Sequence, residues 1–394
     1  MTIADAKAAW APPEALRELG RRAAIVGGVA LVPAAIGGWM DPGQLLRSWL
    51  VAVLLYLGIA LGSLALLMLQ HVTGGTWGFV IRRQLEAAAR TLPFLLVLFL
   101  AVLISPARLY EWARPEVVAH DALLQHKAPY LNRTGFTART IGYFVLWMAF
   151  AYGLDRLSRR QDDRAAPKLG KRMRRISAPG LGLYGAAATF AAVDWLMSLD
   201  PRYASSMYGI YFIGSQGLSA LAFAILVATW LRARKPMDQA LRPEHFHDIG
   251  KLLLAFVMLW SYFCISQYLI VWSGNIPEEV RWYLVRTSGG WGWVGLMLVL
   301  FHFAVPFLLL LSRDLKRDPR RLAPVAMLVL VMRWVDLYWQ AAPAWSSALS
   351  IHWLDPVMAV ALGALWFAEF VRQIRKRPML PVGDPAMEEL LAHD

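Results

Sequence analysis

The chain alternates long apolar runs with short polar, mostly basic segments. Ten runs span or nearly span a bilayer, at about 20 residues per crossing. They cover 23–40, 49–69, 91–110, 137–155, 180–200, 206–231, 249–272, 292–312, 322–341 and 355–372. This pattern predicts an all-α integral membrane protein with ten transmembrane helices. Residues 1–22 read as an N-terminal arm, 23–372 as the membrane domain and 373–394 as a C-terminal tail. The first run is short, Gly-rich and preceded by Arg21-Arg22. With nine further runs behind it, it reads as an uncleaved anchor and not as a signal peptide.

Composition supports the same class. Hydrophobic residues make up 58% of the chain and charged residues 17%, outside the usual balance of a soluble domain. Eighteen Trp and thirteen Tyr suit aromatic belts at two membrane interfaces. The net charge of +13 would on its own suggest a nucleic-acid partner, but the basic residues follow topology. With the N-terminus inside, 29 Lys and Arg fall on inside segments or the run ends beside them and 9 on outside loops or the run ends beside them, leaving Lys251 and Arg333 deeper within runs. This asymmetry predicts cytoplasmic N- and C-termini. The run Arg156 to Arg175 reads as a solvated loop lying against anionic headgroups. It lacks the aromatic residues that stack on bases, so no nucleic acid is expected. The tail beyond Arg377 carries Pro378, Pro381 and Pro385 and reads as an extended arm.

Two outside loops are substantial. Pro106 to Arg139 carries Tyr110, Trp112 and Tyr130 and has room for a short surface helix. In Ser273 to Trp291, Pro277, Glu278 and Glu279 suit the first turn of a helix. Trp282 and Tyr283 are expected to anchor that helix at the interface.

The ninth run holds the chemistry that breaks the apolar pattern. Arg333 and Asp336 lie three residues apart in MLVLVMRWVDLYWQAAP (327–343) and share a helical face. A charge at membrane depth costs roughly 2.5–3.5 kcal/mol on insertion scales, so such residues face a protein interior or a wet cavity. The fifth run echoes the ninth: Val193-Asp194 precedes Pro201 with the same spacing as Val335-Asp336 precedes Pro343. The echo predicts a parallel duplication of a four-helix unit, with one buried aspartate per copy. Both carboxyls sit roughly 10 Å below the outer surface at 1.5 Å per residue. Gln267 and Tyr268 reach a similar depth.

Asp194, Lys251, Tyr262, His302, Asp336 and Glu369 form a ladder of protonatable groups at several depths, a candidate proton path. The plainer alternative is that each satisfies a neighbouring helix by hydrogen bonding. Among eight histidines only His302 is at mid-depth, and a bis-histidine haem needs two. The single cysteine, Cys264, reads as a buried structural thiol and cannot by itself hold an iron–sulfur cluster. No Gly-rich phosphate loop of the usual nucleotide-binding kind appears. No metal, haem or nucleotide site is therefore expected, and any redox chemistry falls to a diffusible organic cofactor or a partner subunit.

Four stretches carry a resemblance: SQYLIVWSGNIPEE (266–279), SRDLKRDPRRL (312–322), MRWVDLYW (332–339) and VDWLMSLDP (193–201). Over roughly residues 20–375 the chain resembles the second large membrane subunit of alternative complex III. That complex is a bacterial quinol:cytochrome c oxidoreductase, and the subunit is NrfD-like, of the polysulfide-reductase membrane family. The resemblance implies ten helices, as two four-helix bundles of spans 2–5 and 6–9 with spans 1 and 10 peripheral. It implies the bacterial inner membrane, with a homologous quinol-binding subunit, a periplasmic iron–sulfur subunit, multihaem and monohaem cytochrome c subunits, membrane lipids and a terminal oxidase as partners. Quinone or menaquinone and structural phospholipid are the implied cofactors. Gln267, Tyr268, Arg333 and Asp336 then become the candidate quinone-binding group. A secondary transporter and a purely structural scaffold subunit remain the alternatives. A transporter would more often break helices at matching mid-depth positions in its two halves.

Overall fold

The structure is a computed structural model and describes residues 3–164 and 166–387. It is helical throughout, with no strand among the described residues. The long helices in chain order are α1 (Ala15–Met40), α2 (Pro42–Thr73), α3 (Thr76–Ile104), α4 (Arg133–Arg164), α5 (Pro167–Trp195), α6 (Tyr208–Arg232), α7 (Pro243–Gly274), α8 (Trp291–Leu311), α9 (Pro319–Ala341) and α10 (Leu354–Ile374). Nine of them, all but α4, are long and apolar enough to cross a membrane. The 32-residue α4 contains the expected 137–155 run but extends into the charged sequence RLSRRQDDR.

Local sequence sets the helix ends. Prolines occupy the first turn of α2, α5, α7 and α9, where a missing N–H costs nothing. Asp41 caps α2 by accepting from Gln44 N at 2.9 Å, and Asp318 caps α9 by accepting from Arg320 N at 2.9 Å. Within α3 the helix is interrupted at Arg90-Thr91, because Pro93 cannot donate to the carbonyl of Ala89.

Large apolar side chains stand exposed along the helices, among them Val29, Val32 and Ile36 of α1 and Tyr262, Ile265 and Leu269 of α7. In water such a belt would be an aggregation surface; in a bilayer it meets lipid. The chain is a multi-pass membrane protein. Its two most enclosed helices, α2 and α6, run side by side. Gly62 makes this possible, since a Cβ there would sit 2.0 Å from the Gln216 carbonyl oxygen. Close backbone approach replaces the hydrophobic drive that lipid cannot supply. α6 also packs on α5, α7 and α9, α2 packs on α3, α5 and α10, and α1 lies along α10.

One end of the molecule departs from the sequence reading. Arg82, Arg83 and Arg90, which the run pattern leaves on an inside segment between two spans, are buried in the first half of an α3 that begins at Thr76. Countercharge from α3 itself and from α4 explains it. Glu86 takes Arg82 at 3.2 Å and Arg83 at 2.7 Å, Asp162 takes Arg83 at 2.5 Å, and Asp155 takes Arg90 at 2.7 Å. Arg377 of the tail reaches Glu86 at 3.2 Å and also pairs with Asp155. Burial pushes the Arg377 guanidinium down to about 10, against the pull of Glu86 and Asp155. The tail is therefore no free arm: Met379 and Leu380 are buried, and Met379 N donates to the Trp10 carbonyl at 2.8 Å. Residues 388–394, with His393, lie outside the described residues. The Arg156–Arg175 stretch is likewise mostly helix, with Gln161 and Asp162 turned inward.

The opposite end holds a second correction. Trp282 and Tyr283, on the helix Pro277–Thr287, are buried and do not anchor an interface. Tyr203 stacks on Trp282 with ring centroids 4.7 Å apart. Tyr110 and Trp112 of the first outside loop are also buried. Cys264 is a free thiol, only half-buried.

Candidate functional site

On α9 the spacing of Arg333, Asp336 and Gln340 brings three polar side chains onto one face. Asp336 is fully buried and Arg333 nearly so. Arg333 Nη1 donates to Asp336 Oδ2. Trp260 Nε1, from α7, donates to the same oxygen at 3.2 Å. Tyr211 Oη, from α6, donates to Asp336 Oδ1 at 2.5 Å. Tyr211 Oη accepts in turn from Gln340 Nε2 at 3.3 Å, and Gln340 Oε1 accepts from Tyr208 Oη at 3.1 Å. Three helices thus meet on one carboxylate, and its burial is compensated by charge and by hydrogen bonds.

His302 lies against the other face of this cluster. Its ring meets Trp260 edge-on, centroids 4.4 Å apart. It is fully buried, and neither ring nitrogen has a hydrogen-bond partner among the described residues. It sits in a π-helical turn, Leu298–Ala304, within α8. Pro306 accounts for that turn, because it has no N–H for the His302 carbonyl and its ring crowds that oxygen. Such turns concentrate at functional positions in helices.

Asp194 of α5 is equally buried but differently held. Arg139 of α4 grips both oxygens, at 2.9 and 2.8 Å, and Tyr143 Oη donates to Oδ2 at 2.8 Å. The Arg139 guanidinium also lies 3.9 Å from the centre of the Tyr130 ring. Next door, Trp195 Nε1 donates to Thr140 Oγ1 at 3.1 Å. The repeated Val-Asp and Pro signature corresponds to a shared helix ending: α5 runs into the 3-10 turn Met197–Leu199 and α9 into Ala342–Ala344.

The remaining predicted residues are not gathered here. Gln267 is buried, 3.4 Å from Tyr283 Oη, while Tyr268 is exposed and stacks on Trp272. Lys251 is exposed and pairs with Asp248 at 3.0 Å. Tyr262 faces outward, with 62% of its surface exposed. Glu369 pairs with Arg372 on its own helix at 2.6 Å. The proposed ladder therefore reduces to Asp336 and His302 in one place and Asp194 in another. Helical periodicity turns Lys251 and Tyr262 to the outside face of α7, away from Trp260.

Sequence reasoning missed Arg139, Tyr211 and Arg286. Arg286 is buried and donates to the carbonyls of Trp339 at 3.2 Å and Gln340 at 2.5 Å. It thus places a cation at the C-terminal end of α9, the favourable end for one. Its guanidinium lies 3.5 Å from the Trp282 ring centre, and burial pushes it down to about 10. Arg139 and Arg286 were counted as loop charges, and no local pattern marks either as a partner.

Fold and site together define the class: a multi-pass helical membrane protein with two buried aspartate–arginine–tyrosine clusters. No family model matches the chain, and no curated protein matches it in sequence.

Proposed function

We propose that this protein is a non-metal membrane subunit of a quinol-oxidising, cytochrome c-reducing complex, and that the Asp336 cluster handles protons in it. The reading rests on the resemblance to the second membrane subunit of alternative complex III. The observation that carries the site is His302, a buried imidazole with two bare nitrogens, packed against the indole that donates to Asp336. Leaving polar nitrogens unpaired in an apolar interior costs free energy, and packing alone gives no return for it. A carboxylate and an imidazole on either side of one indole can take up and release a proton in turn, shielded from bulk water.

In this reading α4 crosses the membrane as well, giving ten spans. α2–α5 and α6–α9 form two four-helix bundles joined along α2 and α6, with α1 and α10 paired outside them. The bias of basic residues supports cytoplasmic termini in a bacterial inner membrane, and the N-terminal arm and tail meet at one end. A groove of about 430 Å³ runs beside Tyr56, Phe223, Met327 and Trp366, and a second, of about 320 Å³, shares Tyr56 and Met327 with it. Quinone, menaquinone or the acyl chain of a structural phospholipid would lie there. Neither Asp336 nor Gln267 lines these grooves, so in this reading quinone binding and proton handling fall to different places.

The test is purification from membranes in mild detergent. Recovery with an iron–sulfur subunit, cytochrome c subunits and the homologous quinol-binding subunit supports the reading. Recovery alone, with substrate uptake in vesicles, would replace it with a transporter. A complex assembled with both Arg333 and Asp336 neutralised is expected to lose quinol:cytochrome c turnover or proton release. Wild-type values for both would leave this chain a scaffold.

A further inference from the structure

A cavity of about 360 Å³ opens at the end of the molecule where the arm and tail meet, between the end of α2 and the starts of α3 and α5. Two helix N-termini border it. Gly74 and Gly75, both at positive φ (75° and 97°), turn the chain from α2 into α3, and no side chain caps α3. Consecutive left-handed residues are readily adopted only by glycine, and they leave the first amides of α3 without intrahelical acceptors. A Cβ at Gly74 would meet nothing within 4 Å, so the turn faces open space. Gly170 and Lys171, near the start of the equally uncapped α5, line the same cavity.

Side chains point to the charge of a ligand. Lys171 and Arg174 line the cavity, are exposed, and make no ion pair among the described residues. Gln70 lines it while only 8% exposed, and its amide oxygen has no hydrogen-bond partner among the described residues. Its NH2 group, for which no hydrogen bond is found among the described residues, is the donor an anion would use. His71 Nδ1 lies 3.2 Å from Ser177 Oγ, leaving Nε2 buried and without a partner among the described residues. One carboxylate, Asp384, also borders the space. It is already engaged by Arg82 at 2.8 Å and Gln161 at 3.2 Å, so it does not neutralise Lys171 or Arg174.

We propose that this cavity is a phosphate-binding site, built for a phosphate monoester or diester between two helix N-termini and the Lys171–Arg174 pair. Uncapped amides and positive helix ends favour such an anion. Two sources offer it: the headgroup of an anionic phospholipid, since the cavity lies level with the end of α2, or a soluble phosphate compound.

The test uses the full chain purified in detergent, as wild type and as the double variant Lys171→Ala/Arg174→Ala. Both changes are at exposed positions, and matching melting curves in chloride confirm that the variant is folded. Inorganic phosphate is titrated against chloride at constant ionic strength with melting temperature as readout, and native mass spectrometry reports phospholipid retained after extraction from phosphatidylglycerol-containing vesicles. Each charge-assisted hydrogen bond lost is expected to weaken binding about tenfold or more. Stoichiometric phospholipid on the wild type, lost in the variant, assigns the site to a lipid headgroup. Saturable stabilisation by phosphate without retained lipid, weakened in the variant, assigns it to a soluble phosphate compound. Phosphate acting no better than chloride with no lipid retained, or equal binding by both proteins, overturns the proposal.

Discussion

Asp194 and Asp336 share a sequence signature and a depth of burial, yet their surroundings differ in kind. Asp194 receives its arginine from a neighbouring helix through two parallel hydrogen bonds. The Arg139 side chain remains 24% exposed, so solvent or headgroups can reach the pair. Asp336 receives its arginine from one turn below on the same helix, and both partners are sealed in. It draws its other donors from α6 and α7 and stands beside an imidazole with nothing to bond to. A pair that joins two helices and is satisfied at its rim is a clip. A pair confined to one helix joins nothing by itself, so the effort of burying it calls for another explanation. The repeated Val-Asp and Pro signature thus goes with a shared helix ending and a buried carboxylate, held in two different ways.

The largest effect should come from Asp336→Asn. It leaves the Arg333 guanidinium buried without its counterion, which costs about 3–5 kcal/mol, read as a lowered unfolding midpoint in detergent. Neutralising Arg333 and Asp336 together with side chains of similar volume should recover most of that stability. A double variant as unstable as the single one would show that the cluster's other donors, Tyr211 and Trp260, dominate. Asp194→Asn should cost less, about 1–3 kcal/mol, because Arg139 can turn toward solvent. An equal or larger loss at Asp194 would reverse the assignment of clip and sealed pair.

Tyr211→Phe tests how far the Asp336 network depends on α6. It removes the hydroxyl that donates to Asp336 and accepts from Gln340, at a cost of about 1–3 kcal/mol. No change would mean that water replaces the hydroxyl. On the Asp194 side, Tyr130 lies in the loop before α4. Burial first, then the Asp194 carboxylate, push its phenol up to about 12, with Arg139 opposing. A raised phenol favours the fold below the ordinary tyrosine range near 10, and that contribution is lost as pH rises through about 12. An ultraviolet difference titration of Tyr130→Phe against wild type isolates this group. In Asp194→Asn its titration should move down; an unmoved titration would mean the carboxylate exerts no field there.

The sequence made the helices legible because membrane burial leaves long apolar runs, and it exposed the Asp194–Asp336 echo because a helix ending needs local residues. Partner choice was not legible. Arg139 and Asp194 are brought together only by the packing of α4 on α5, and the burial of Arg82, Arg83 and Arg90 was hidden because, Glu86 apart, their countercharges are distant in sequence, Asp155 and Asp162 on α4 and Asp384 on the tail. Trp282 looked like an interface anchor because aromatic residues near span ends usually are; Tyr203, distant in sequence, and Arg286, one helical turn further on, cover it instead. The π-turn at His302 was within reach. Pro306 follows four residues later in an apolar run, and a proline there must disturb the bonding of the His302 carbonyl.

His302→Leu should produce the smallest change in stability and the sharpest split between the two clusters. The substitution removes two buried nitrogens that have no partner and keeps an apolar side chain against Trp260. Removing unsatisfied polar atoms is nearly neutral or stabilising, so the midpoint should move by no more than about 1 kcal/mol in equivalent free energy. A loss above about 2 kcal/mol would show that His302 is satisfied in the membrane by a bridging water and belongs to the packing. Under the proposed function the same variant should assemble normally and release fewer protons per quinol oxidised. Arg139→Lys at the clip keeps the charge but forfeits the two-pronged grip, so it should lower stability and leave proton release per turnover intact. The two variants are thus expected to fail in opposite columns, stability without proton release at one aspartate and proton release without stability at the other. If both lose stability alone, the Asp336 cluster is a second clip.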